Sequence, residues 1–295
     1  MLYDWPTWLI AVGLLCALLA ANELGYRLGR RGHEQESESS RTASGALKGS
    51  VYALVALLLG FSFSATTARY DLRQRIVLDQ ANAVGTCHLR AGLLDKPFRD
   101  RIRESLRGYV RDRLAYAAAG DDHARLSRAS AAIDRRLDEL WTVVEESNRQ
   151  YPDAVRNSMI VPAANEVIDL SSTRAWANRN HLPNAVLVLL LASVLVTGLL
   201  LGHSSGQAGR RHATLWLASN LIFALVLFVI LDFDRPRRGL IRVDLTPLVE
   251  LESTLGEAPA PPSTGDRVSA PLPARPPRWR SDGDVIFSHF ARINL

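Results

Sequence analysis

The stretch GSVYALVALLLGFSFSATTA, residues 49–68, carries no charged side chain and decides the fold. At 1.5 Å of rise per residue its helix covers roughly 30 Å, the thickness of a bilayer's hydrocarbon core. A backbone in lipid must satisfy its own amides, so the stretch is a helix. Three further uncharged stretches of similar length accompany it, about Trp5 to Asn22, Leu182 to Gly202 and Ala213 to Leu231. The expected fold class is all-α: a polytopic membrane protein with four transmembrane helices in two hairpins.

Working outward, residues 1–68 form the first hairpin and 182–231 the second. Residues 69–181 lie between spans 2 and 3 and read as a soluble helical bundle. Phe98, Ile102, Leu106, Tyr109 and Leu114 recur at helical spacing, and Leu126, Ser130, Ile133, Leu137, Leu140, Val144 and Tyr151 approximate a second seam. Pro97 suits the first turn of one helix, and Gly120-Asp121-Asp122 supplies a break and a cap. Pro152 opens a further helix over about Asp153 to Asn178, with a kink expected at Pro162. Residues 23–46, rich in Glu, Ser and Arg, read as a solvated loop, and His203 to His212 as a short turn. A juxtamembrane segment, 232–255, offers one more short helix through Leu245, Leu248, Val249 and Leu251. Residues 256–295 form a Pro/Arg-rich tail, expected to be disordered because it buries too little apolar area to offset its ordering entropy.

The formal charge of +5 is carried almost wholly by arginine, with lysine only at Lys48 and Lys96. These groups sit among acids and beside membrane ends, which points to lipid headgroups and away from nucleic acid. Cys16 lies inside the first span and reads as a small core residue, while Cys87 packs on a helix. The seven histidines are scattered, so no metal site and no cofactor are expected. Asp4 at the start and Arg27, Arg30 and Arg31 after the first span fit a retained anchor rather than a cleaved signal peptide. There is no phosphate-cradling glycine loop, nucleophile elbow or His–carboxylate pairing at an informative spacing, so an enzyme is not expected.

Four polar or small-residue patterns remain. On span 2, Gly49, Ala53, Ala56, Gly60, Ser64, Thr67 and Asp71 fall on one stripe at 100° per residue. Such a stripe either lets another helix approach closely or lines a pore, with Ala53, Ala56, Gly60, Ser64 and Thr67 as the lining. Directly beyond it, Arg69, Tyr70 and Arg73 read as interface anchors, as does Arg235 after span 4. The alternative for the Arg69–Arg75 cluster is an electropositive vestibule that concentrates anions. Asn82, Thr86 and Arg90, four apart, are placed to make a buried polar network with Asn165 and Asp169, or to recognise a ligand. Asn220, within lipid depth on span 4, is expected to find a partner on another helix.

The ordered runs Leu59-Gly60-Phe61-Ser62-Phe63-Ser64, Arg69-Tyr70-Asp71-Leu72-Arg73, Asn82-Ala83-Val84-Gly85-Thr86 and Leu89-Arg90-Ala91 resemble a bacterial family of membrane proteins termed bestrophin-like. Asn165, Asp169, Arg174, Ala218-Ser219-Asn220 and Asp234-Arg235-Pro236-Arg237-Arg238-Gly239 extend the resemblance, which covers roughly residues 5 to 255. It implies a multi-pass protein of the bacterial inner (plasma) membrane and a distant likeness to bestrophins, pentameric anion channels whose second helices line the pore. A homo-oligomer in a lipid bilayer, with an anion or small ligand as the species handled, is the function this implies. The rival is a non-conducting sensor or scaffold that presents the helical bundle to a ligand or protein. Orientation divides the two sources. Charges in the short loops, Arg27, Arg30, Arg31, Arg41, Lys48, Arg210 and Arg211, place the first loop inside and the helical bundle outside; the resemblance implies soluble helices inside.

Overall fold

The computed structural model describes residues 7–31, 38–120, 122–209, 211, 213–235 and 239–256. The tail expected to be disordered lies outside them from residue 257 onward, as do Trp5 at the start of the first span and residues 236–238. Among the described residues every regular element is a helix: α1 (Thr7–Arg31), α2 (Glu38–Ala91), α3 (Lys96–Ala118), α4 (His123–Gln150), α5 (Ala154–Arg179), α6 (Asn184–Gln207), α7 (Ala213–Phe233) and α8 (Thr246–Gly256). Four of these helices are long and apolar enough to cross a membrane. The protein is nearly all helical, as the uncharged stretches require.

α2 organises the chain. It is continuous over 54 residues, so its length is roughly 80 Å, and it passes residue 68 without a break. One half lies against α6 and α7; the other lies against α3, α5 and α8. The membrane core is built from Leu18, Val55, Leu59, Leu190, Val194, Leu227 and Ile230. The second core joins Val84, Cys87 and Ala91 of α2 to Ile102, Leu106 and Tyr109 of α3, Leu140 and Val144 of α4, and Ile160 and Val167 of α5. In that water-facing bundle each buried Leu or Ile stabilises by about 1.5–3 kcal/mol. Inside lipid that driving force is absent, and close packing between helices takes its place.

Helix ends follow the sequence signals in the soluble bundle. Pro97 occupies the first turn of α3, and Gly120 has a φ of +55°, a left-handed conformation suited to glycine. Asp122 caps α4 by accepting hydrogen bonds from the Ala124 and Arg125 amides, which hold its carboxyl below the usual carboxylate range. Asp153 caps α5 in the same way through Val155 and Arg156. Pro162 sits within α5 on an exposed position.

Three expectations are corrected here. The polar connection 23–46 is helical through Arg31 and again from Glu38, because Gly25, Tyr26 and Gly29 pack α1 onto α6 beyond the apolar stretch. α6 likewise extends to Gln207, carried by Gly202 and Gly206 against α1. Cys16 is exposed on α1 and takes no part in the core, whereas Cys87 is buried.

Candidate functional site

The membrane half of α2 presents three faces. Val55, Leu59, Ser62 and Thr66 are buried against the rest of the chain. Leu54, Leu57 and Phe61 form a bulky exposed face. The small stripe lies roughly 130° from the buried face at 100° per residue. Ala53, Ala56, Gly60 and Ser64 are exposed, and Thr67 is half-buried with its hydroxyl donating to the Phe63 carbonyl at 2.9 Å. A Cβ added at Gly60 would meet no atom within 4 Å. From Ala53 to Ser64 the stripe is therefore left exposed by the chain's own packing.

Close helix packing occurs elsewhere. Cβ atoms built on Gly25, Gly202 and Gly206 would stand 2.0, 1.9 and 2.3 Å from backbone oxygens of the facing helix, so α1 and α6 approach each other through glycine alone. The Gly25/Gly29 and Gly198/Gly202/Gly206 spacings of four were the available signal. Beside that seam, Asn220 on α7 is fully buried, with its carboxamide near Gly198, and Asn22 on α1 is fully buried against Gly202. Neither carboxamide has a hydrogen-bond partner among the described residues, which corrects the expectation of an interhelical bond for Asn220.

Where span 2 ends, the chain is tied by buried charges. Arg73 is 3 % exposed and donates to the carbonyls of Ala177, Asn180 and Phe233 at 3.1, 3.0 and 3.1 Å, joining α2 to the C-termini of α5 and α7. Those carbonyls lack helical donors, and one guanidinium serves all three. Asp234 accepts from the Leu182 amide at 3.0 Å, and its carbonyl lies 2.9 Å from His181 Nδ1. Asp232 accepts from the Leu240 and Ile241 amides, both at 2.9 Å, and folds the chain back under α7. Arg235 is also buried. Arg73 is thus an internal tie and Arg235 a buried side chain, rather than headgroup-level anchors; for Arg73 the junction of α2, α5 and α7 outweighs the usual preference of arginine for the surface. Arg69 and Tyr70 are half-buried, and the Tyr70 ring meets Phe233 edge-on at 5.3 Å.

The structure also rearranges the polar network. Asn82 and Thr86 are exposed and Arg90 is half-buried; all three line an open groove of about 400 Å³ between α2 and α5, with Asp79 and Glu166. Arg90 donates to the Met159 carbonyl at 3.0 Å. Asn165 and Asp169 are exposed on α5 and do not line that groove. A buried network of these five residues does not form, because the buried faces of α2 and α5 are occupied by Val84, Cys87, Ala163, Ala164 and Val167.

A different polar cluster forms instead, with Gln80, Tyr109, Arg113 and Ser171 buried and Arg174 half-buried. Arg174 donates to Gln80 Oε1 at 2.6 Å, Gln80 donates to the Tyr109 hydroxyl, and Arg113 donates to the same hydroxyl at 3.2 Å and to Ser171. Neither Arg113 nor Arg174 has a carboxylate partner among the described residues. Burial, with the Arg113 guanidinium nearby, pulls the Arg174 pKa down to about 10. Among the described residues no group of three His, Cys, Asp or Glu could hold a metal ion.

The geometry acquires a family context from comparison with known proteins. The profile of the Bestrophin-like domain matches residues 15–248, most of the chain. The chain belongs to the Bestrophin-like family. The match takes in α2 whole and ends in α8, so the small stripe, the Arg73 tie and the Gln80–Arg174 cluster all belong to the Bestrophin-like region. The fold is similar to the crystal structure of a bacterial bestrophin homologue from Klebsiella pneumoniae, a mutant form. The TM-score is 0.58 over 84 % of this chain and 95 % of that one, at 14 % sequence identity. No curated protein sequence matches this chain.

Proposed function

We propose that this Bestrophin-like chain assembles as a homo-oligomer in the plasma membrane of a bacterium, with the small face of α2 lining a conduit for small ions. The observation that carries the reading is the stripe Ala53, Ala56, Gly60 and Ser64, continued by the half-buried Thr67, whose first four members the chain's own packing leaves exposed while a different α2 face builds the core. Copies of α2 around an axis give that stripe a shared interior, and small side chains keep it open. The hydroxyls of Ser64 and Thr67 supply dipoles near one mouth. Asp71, exposed, continues the stripe and Arg75, also exposed, follows one turn on, so the mouth carries charges of both signs.

Planar-bilayer recording on the purified protein tests this. The wild type is expected to pass current that Ala56→Phe or Gly60→Leu reduces at least about tenfold, since a bulky group repeated in every subunit narrows the same level of the conduit. Silent bilayers from folded, assembled wild-type protein would instead support a non-conducting membrane scaffold.

A further inference from the structure

Beyond the membrane half, α2, α3 and α5 meet the 242–245 segment around a cavity of about 180 Å³. Its wall includes three guanidinium-bearing side chains, Arg73, Arg174 and Arg242, together with Tyr116, Asn178 and Gly120. No described residue in that wall is acidic. The nearest acid along the 242–245 segment, Asp244, is turned to the Thr246 amide and hydroxyl at 2.9 and 2.6 Å. We propose that this cavity binds a phosphate-type oxyanion, either free inorganic phosphate or the phosphate of an anionic lipid headgroup.

Charge and size both favour that ligand class. A cation withdrawn from water without a counter-charge is costly, and the half-buried Arg174 in the wall and the buried Arg113 beside it have only Gln80, Tyr109 and Ser171 as hydrogen-bond partners among the described residues. An incoming oxyanion offsets that cost. Planar guanidinium groups match its oxygens in pairs, and a phosphate group with its bridging waters fits the volume. Arg73 is already fixed by three carbonyls, so its place in the wall is preorganised. Arg242 is exposed at the rim and gives the anion a way in. Both phosphate sources are chemically available, because the cavity lies just past the membrane end of α2. The site is independent of ion conduction.

The test uses the full chain purified in detergent and, separately, in nanodiscs of phosphatidylcholine with or without phosphatidic acid. Thermal unfolding is followed with inorganic phosphate against sodium chloride at matched ionic strength. Phosphate is expected to raise the unfolding temperature in detergent if the ligand is free, whereas only phosphatidic acid does so if the ligand is a headgroup. In either case Arg242→Gln, at the exposed rim, weakens the apparent affinity about tenfold, the loss of one charge-assisted contact. Arg128→Gln, exposed on α4, leaves it unchanged. No shift from either phosphate source, or a shift equal in Arg242→Gln and wild type, would overturn the proposal.

Discussion

Gly202→Val should prevent the membrane helices from assembling, with loss of monodisperse protein on size-exclusion chromatography. The first carbon of any side chain at 202 would stand 1.9 Å from the Asn22 carbonyl oxygen, a backbone atom that cannot rotate away. α1 and α6 would have to move apart along their whole contact, taking Gly25 and Gly206 out of register with the facing backbone. Within lipid there is no hydrophobic pressure to push them together again. The expected loss exceeds about 4 kcal/mol, beyond the range of ordinary single substitutions. Gly60→Ala supplies the contrast: its new methyl enters open space, so stability should change by less than about 1 kcal/mol. A Gly202→Val protein that unfolds near the wild-type temperature would show that α1 and α6 are not packed this closely.

Arg73→Ala should cost about 3–5 kcal/mol, read as a large fall in unfolding temperature in detergent. The substitution strands the Ala177, Asn180 and Phe233 carbonyls at a buried junction where water has little access. Arg73→Lys should recover only a minor part, because one ammonium on a flexible stem cannot address three carbonyls on two helices as a planar guanidinium does. Wild-type stability in Arg73→Ala would mean that α2 is held at this level by other contacts.

The two substitutions also mark where the sequence was informative and where it was not. Uncharged length revealed the spans, since lipid imposes one requirement on every residue of a crossing helix. The Asp122 and Asp153 caps were equally legible, because each acts within three residues of itself. Arg73 was not. Its partners lie 104 to 160 residues away, and local spacing beyond a membrane span reads the same for an arginine in headgroups and one in a junction. Tyr109 appeared as one member of an apolar seam, although its hydroxyl receives Gln80 and Arg113. Periodicity finds a face; it does not say what that face meets. Asn82, Thr86, Asn165 and Asp169 show the same limit, being correctly helical yet outward-facing. On α2 the small stripe was visible, but only the packing of Val55 and Leu59 showed that the chain itself leaves it bare.

The most direct measurement of α2's role is the reaction of introduced cysteines with a membrane-impermeant, charged thiol reagent in the assembled protein, with Cys16 replaced by serine. Under the proposed conduit, whose water reaches the stripe, Gly60→Cys and Ser64→Cys should react readily, while Leu225→Cys, on the exposed apolar face of α7, should not. Equal protection of Gly60→Cys and Leu225→Cys would place the stripe in lipid or in a dry interface and contradict a conduit lined by α2.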